Sequence, residues 1–192
     1  MTNKCKFILV GTLIAVPLVA SAQESEKVIH GHKGDQTYAF RMLPPDSFPD
    51  LPAPVLRDLE KRRCMVPQTY EARAPENVIH GAFREKGSTD WAVLCSQDGT
   101  STLLIYWAGS ASKPAEIAAQ PDTDTADPHD ETGILGYARG IDPASPDIMN
   151  ETLANRTYGP FDHDGIKDAR IEKSSIIHYF KNGTWMTLQG NE

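Results

Sequence analysis

The most specific chemical pattern in the chain is a set of acids around one glycine: Asp162, Asp164, Gly165 and Asp168. Calcium takes roughly six to eight oxygen ligands, mostly carboxylates and carbonyls, and a glycine permits the turn that gathers them. Laid on the 12-residue calcium loop, Asp162 falls at position 3, Asp164 at 5, Gly165 at 6 and Asp168 at 9. The carbonyl of Ile166 would fill position 7. Pro160 and Ile171 stand where the first and last acids belong, and Glu172 lies one residue off. The same residues suit a tight turn whose Asp side chains cap backbone N–H groups. Two readings follow, a calcium site of the weak extracellular kind (about 10⁻⁴–10⁻³ M) that would rigidify the loop, or a plain turn.

Other groupings carry less. The sequence has no Gly-x-Ser-x-Gly elbow, His-Glu-x-x-His, P-loop or dinucleotide fingerprint. Six histidines are scattered, His30, His32, His80, His129, His163 and His178. His80 and His178 lie in or beside strand-like runs, where a hydrogen-bonded structural role is expected. His30 and His32 offer a copper or zinc pair, or are chance neighbours in a mobile lead-in. Asp122, Asp124, Asp127, Asp130 and Glu131, with His129, offer a cation site or a solvated charge run. Tyr106, Trp107, Tyr179 and Trp185 fall on strand-like segments, where adjacent residues point to opposite faces. Part of this aromatic set is therefore expected at the surface, either as ordinary surface over a core or as a protein or glycan contact, for which Trp and Tyr are favoured anchors.

The elements that must position these groups begin with an export signal. Lys4 and Lys6 precede an apolar run over 7–19, and Ala20, Ser21 and Ala22 supply the small residues of a cleavage site. The run is shorter than the roughly 20 residues that span a bilayer. Residues 1–22 are expected to leave, giving a periplasmic or secreted chain with no membrane span. Cys5 leaves with them. Cys64 and Cys95 remain, an even pair in an oxidising compartment, and are expected to form a disulfide. The net charge of −7 becomes two units more negative once Lys4 and Lys6 are removed. That balance lacks the basic footprint of nucleic-acid binding and the polybasic patch of a membrane-surface protein. Fourteen Pro and 14 Gly spread along the chain argue against a coiled coil or helical bundle.

The expected fold class is α+β and β-rich, with antiparallel hairpins, one or two short helices and one disulfide. Residues 23–54 read as an extended lead-in, forced by Pro44, Pro45, Pro49, Pro52 and Pro54, and residues 55–192 as one β-rich domain. A helix follows Pro54 with Val55, Leu56 and Leu59 on one face and Lys61, Arg62 and Arg63 in its last turn. Strands are expected near 78–79, 91–95 and 102–107, with Asp98 and Gly99 as a hairpin turn. A long surface loop over 108–132 precedes a strand over 133–141. A short helix over 146–153 should turn Ile148, Met149 and Leu153 inward. The chain closes with a hairpin about Asn182 and Gly183.

One spacing recurs. Gly81, Phe83, Gly87 and Asp90 are repeated 78 residues later as Gly159, Phe161, Gly165 and Asp168, each set before a strand-like segment. The pattern resembles the loop of FG-GAP or integrin-type repeats, in which a Gly- and Asp-rich turn feeds a strand of a propeller blade. Segments 77–83, 90–96 and 175–180 also resemble those of uncharacterised secreted bacterial proteins, so the resemblance covers roughly 77–107 and 158–190. It implies hairpins built from two related units, with calcium at a fully equipped loop. The first copy departs from that pattern, with Arg84, Glu85 and Lys86 where acids would stand. Two copies are also fewer than the four or more blades that usually close a propeller.

Three functional expectations result. The first is an exported, non-catalytic protein that binds a protein or glycan of the cell envelope, such as an inhibitor or immunity-type partner of a toxin or peptidoglycan hydrolase. Its acidic surface would suit basic partners. The second is a calcium-stabilised structural module. The third is a cell-wall or glycan hydrolase working through paired carboxylates.

Overall fold

The computed structural model describes residues 26–190, and the expected signal segment lies outside the described residues. Strands dominate. β1 (Lys27–Lys33) and β2 (Gln36–Leu43) form an antiparallel hairpin. Tyr38, Phe40 and Met42 alternate along β2 and pack into the central core. The described part of the expected lead-in is therefore corrected. Residues 27–43 are sheet, and only the proline segment behind them runs as a chain of turns into α1 (Ala53–Lys61). Pro54 sits in the first turn of α1, and Val55 and Leu59, four apart, are fully buried. β3 (Val66–Pro67) then pairs with the end of β2.

β4 (Val78–Gly81), β5 (Asp90–Gln97), β6 (Thr100–Tyr106) and β7 (Ala115–Pro121) make a four-stranded antiparallel meander in chain order. Both of its faces are covered, which explains the nearly unbroken apolar runs of β5 and β6. Ala92, Leu94, Leu103 and Ile105 face the central core, while Val93, Cys95, Leu104 and Tyr106 face α1. Each fully buried Leu or Ile contributes about 1.5–3 kcal/mol. Cys64, just past α1, and Cys95 on β5 form the expected disulfide with Cα atoms 5.4 Å apart, tying helix to sheet. β7 replaces part of the loop expected over 108–132. Its Ala, Glu and Gln residues have weak strand propensity, and pairing of Ile117 with Leu103 and Ala115 with Ile105 overrides it.

β8 (Ala126–Pro128) and β9 (Leu135–Tyr137) complete the first sheet in the order β1-β2-β9-β8, with β9 meeting β2 in parallel at Leu135 and Tyr38. β10 (Arg139–Ala144), β11 (Gly165–Arg170), β12 (Ser175–Lys181) and β13 (Thr184–Gln189) form a second antiparallel meander. α2 (Pro146–Glu151) covers its outer face, where Met149 packs with Ala144, Ile177, Tyr179 and Leu188. Ile148, expected inward, is 37% exposed because a helix of six residues turns only a narrow face to the sheet. The turns at Asp98–Gly99 and Asn182–Gly183 have positive φ at both residues, the geometry two-residue hairpins favour.

Asn77 joins the sheets. Its side chain donates to the carbonyls of Pro67 (2.6 Å) and Arg139 (3.3 Å) and accepts from the Ile141 N–H (3.0 Å). Among the described residues no helix is long and apolar enough to cross a membrane.

Candidate functional site

The three aspartates of the calcium reading are placed apart in role. Asp162 lies in the chain entering β11 and accepts from Tyr179 Oη (3.1 Å), with His163 Nδ1 at 2.7 Å. His163 first, then Tyr179, hold its carboxyl below the usual carboxylate range. Nε2 of His163 donates to the carbonyl of Phe180 (2.8 Å), and its ring stacks on Tyr179 at 4.4 Å. Asp164 turns instead to the first copy of the repeat. Its Oδ2 accepts from the Ala82 N–H at 2.9 Å, while its own N–H donates to the Ala82 carbonyl at 3.0 Å.

Asp168 is mid-strand in β11 and 7% exposed. Arg139 reaches it with two parallel bonds, Nε to Oδ1 (2.8 Å) and an Nη to Oδ2 (2.7 Å), and His178 Nε2 lies 3.2 Å from Oδ2. Burial would raise its carboxyl, but His178 and Arg139 outweigh burial and hold it down. The oxygens of the three acids therefore have separate protein partners. Among the described residues no group of three or more His, Cys, Asp or Glu side chains is arranged to hold a metal ion. The geometry favours turn and ion-pair duty for this set.

The acidic stretch is also redistributed. Asp122 is 3% exposed and accepts from the hydroxyls of Ser96 (2.6 Å) and Ser101. Asp127, 7% exposed, pairs with Arg170 and Lys173. A solvated charge run was one of the two expectations, but polar partners from β5, β6 and the second meander draw these two acids inward. Asp124 remains exposed and pairs with Lys33.

The aromatic set divides as well. Tyr106 and Tyr179 are 0% and 1% exposed, so they belong to the interior and are withdrawn from the expected contact surface. Tyr106 points under α1 and donates to Asp58 (2.9 Å). Burial first, then Asp58, push its phenol upward. Trp107, in the turn Trp107–Gly109 after β6, and Trp185 on β13 are only partly buried. Their rings stack at 5.9 Å and 15°, and Phe180 lies 5.0 Å from Trp107 and 5.2 Å from Trp185. Arg84, from the β4–β5 connection, sets its guanidinium 5.7 Å from the Trp107 ring centre. The result is an aromatic and arginine patch on the seam between the two meanders.

Phe180 belongs to the same run of strand aromatics but, like Arg84, is not among the four expected anchors. Each becomes legible only once the turn after β6 and the β12–β13 hairpin are known to meet. A pocket of about 200 Å³ also opens beside Arg139 and Asp168, with Gln120, Asp124 and Thr125 on its walls. Both oxygens of Asp168 are bonded to Arg139, so this wall of the pocket is an ion pair. Compared with known protein families, curated proteins and solved structures, the chain finds no match in any of the three.

Proposed function

We propose that this chain is an exported binding protein, periplasmic or secreted, that engages a protein or glycan of the cell envelope through the patch of Trp107, Phe180, Trp185 and Arg84. An inhibitor or immunity-type role towards a toxin or peptidoglycan hydrolase is the form that fits best. The observation that carries the reading is the stack of Trp107 on Trp185 at a partly open seam, with an arginine over it. Tryptophan and arginine are the residues most enriched among interface anchors. The Cys64–Cys95 disulfide supports an oxidising compartment, and the −7 net charge supports a basic partner.

The test uses the whole chain in cells that export it, with a photo-crosslinking residue in place of Trp107 or, as the control, of Asp35 on the β1–β2 turn. The reading expects a single crosslinked envelope species at position 107 that is absent at 35 and is lost in the Trp185→Ala background. Identical crosslinks at both positions, or none at 107, overturn it. Sequencing of the exported material should begin at Gln23, and an intact Met1 would reject the export reading.

A further inference from the structure

A second recess lies on the other side of the turn that carries Trp107. It has a volume of about 250 Å³ and is enclosed by the proline segment after β2 and by β4 and β5. Phe48, Val78 and Trp91 give it apolar and aromatic walls, and Ser47, Asp50 and His80 are the polar residues of its lining. The His80 ring sits 5.3 Å from Trp91, tilted by 50°. Among the described residues no Lys or Arg lines the recess, and the Asp50 carboxylate is the one permanently charged group there. Ser47 is 6% exposed, and its Oγ is buried with no hydrogen-bond partner among the described residues. That oxygen is sealed from the recess, which leaves Asp50 and His80 as the polar side chains available to a ligand there.

We propose that this recess binds the head of an organic cation, a guanidinium or alkylammonium, carried by a basic side chain of a partner or by a free amine. An indole is the best aromatic surface for a cation, worth about 0.5–1 kcal/mol when exposed and about 2 when desolvated. Asp50 supplies the opposite charge and accepts N–H bonds from the cation. An anion would meet Asp50 with no compensating cation among the described residues, and a wholly apolar ligand would strip water from its carboxylate with no replacement partner. The net charge of the chain draws cations towards it.

This site is separate from the aromatic patch. Trp91 is paired with Tyr106 across β5 and β6, and a Cβ placed on Gly109 would lie 3.7 Å from Trp91 Cδ1 and 3.0 Å from Pro52. The turn Trp107–Gly109 thus stands as a wall between recess and patch, with Trp107 on one side and Trp91 on the other.

The test is titration of the disulfide-bonded chain with Nα-acetyl-arginine methylamide, agmatine, and the neutral citrulline analogue of the first, followed by the indole N–H resonances. Binding of both cations should shift Trp91 while leaving Trp107 and Trp185 unmoved, so that failure here and failure of the proposed contact surface are told apart. Tighter binding of the blocked arginine than of agmatine assigns the site to a partner's side chain, and the reverse assigns it to a free amine. Asp50→Asn, at an exposed position, should weaken binding about fivefold, the value of an exposed ion pair. Trp91→Leu should weaken it about three- to fivefold, with the melting temperature recorded to confirm folding. Equal shifts with the citrulline analogue, no effect of Asp50→Asn, or no Trp91 shift at about 50 mM cation, where even millimolar affinity is saturated, each overturn the assignment.

Discussion

The two meanders place the same four-residue spacing on the same topological link, the connection from first to second strand, yet build two different structures from it. In the first meander, Asp90 opens β5 and closes the loop behind it, accepting from the Arg84 N–H, the Ser88 hydroxyl and the Ala108 N–H. In the second, Asp168 stands three residues inside β11 and is consumed by Arg139 and His178. The glycines differ just as sharply. Gly87 has φ +83° with open space around it, so it serves a left-handed backbone. Gly165 has an ordinary φ, but a Cβ there would lie 2.5 Å from Ile177 Cγ2 and 3.1 Å from Met149 Sδ, so it serves close packing of α2 on the sheet. Phe83 enters the central core, whereas Phe161 joins the outer cluster under α2. Equal spacing fixes separation along the chain, and where the strand begins decides what that separation means.

The largest effect expected from this contrast comes from Arg139. Its replacement by Ala leaves Asp168 buried without its cation, and urea unfolding should show a loss of about 3–5 kcal/mol. Asp168 also brings a pH signature of known sign. Its carboxyl is lowered in the folded state, so its contribution is present above the unfolded value near 3.9 and is lost as pH falls through the folded value below that. Stability measured between about pH 4 and pH 2 should therefore fall more steeply in the native chain than in Asp168→Asn. A parallel pair of curves would mean that the ion pair is not held in solution.

In the first meander, Asp90→Ala removes one acceptor group from three donors but leaves no buried cation behind. The expected loss is smaller, about 2–3 kcal/mol, read from the same unfolding curves. The glycines sharpen the comparison further. Gly165→Ala should cost about 1–3 kcal/mol through overpacking, and combined with Ile177→Ala it should cost less than the sum of the two single changes, because the clash with Ile177 Cγ2 is gone. Gly87→Ala should cost about 1–2 kcal/mol through backbone strain, and no neighbouring truncation should restore it. Rescue of both, or of neither, would erase the distinction drawn between them.

Much of this arrangement was readable from the residues. Strand runs such as 91–95 and the turn pairs Asp98–Gly99 and Asn182–Gly183 carry local signals, and α1 has its proline start and its four-residue spacing of Val55 and Leu59. β2 also carries a local signal, with Tyr38, Phe40 and Met42 alternating at strand spacing. β7 was not legible, because Ala, Glu and Gln become a strand only when β6 offers them an edge. The same limit hid the site. Nothing in the sequence says that Arg84 will meet Trp107, that Ser47 will lose its water beside Trp91, or that Asp122 will be drawn between two serines. These are long-range contacts whose signal is held jointly by segments far apart in the chain.

Asp164 offers the finest test, because the two readings of its loop give opposite responses. Its paired bonds with Ala82 link the second copy of the spacing to the first, and a Cβ on Gly81 would come within 3.1 Å of its Oδ2. If the side chain serves that link, Asp164→Ala should cost about 1 kcal/mol, the net value of one hydrogen bond. The loss should appear equally in calcium and in chelator, since no ion contributes to the bond. If the loop instead gathers calcium, the native chain should melt higher at millimolar calcium, by the mass-action stabilisation that any ligand of the folded state confers. The variant should then lose that increment. A calcium-dependent rise that Asp164→Ala abolishes would reassign the loop to metal. A calcium-independent loss of the stated size ties Asp164 to the joint between the two meanders.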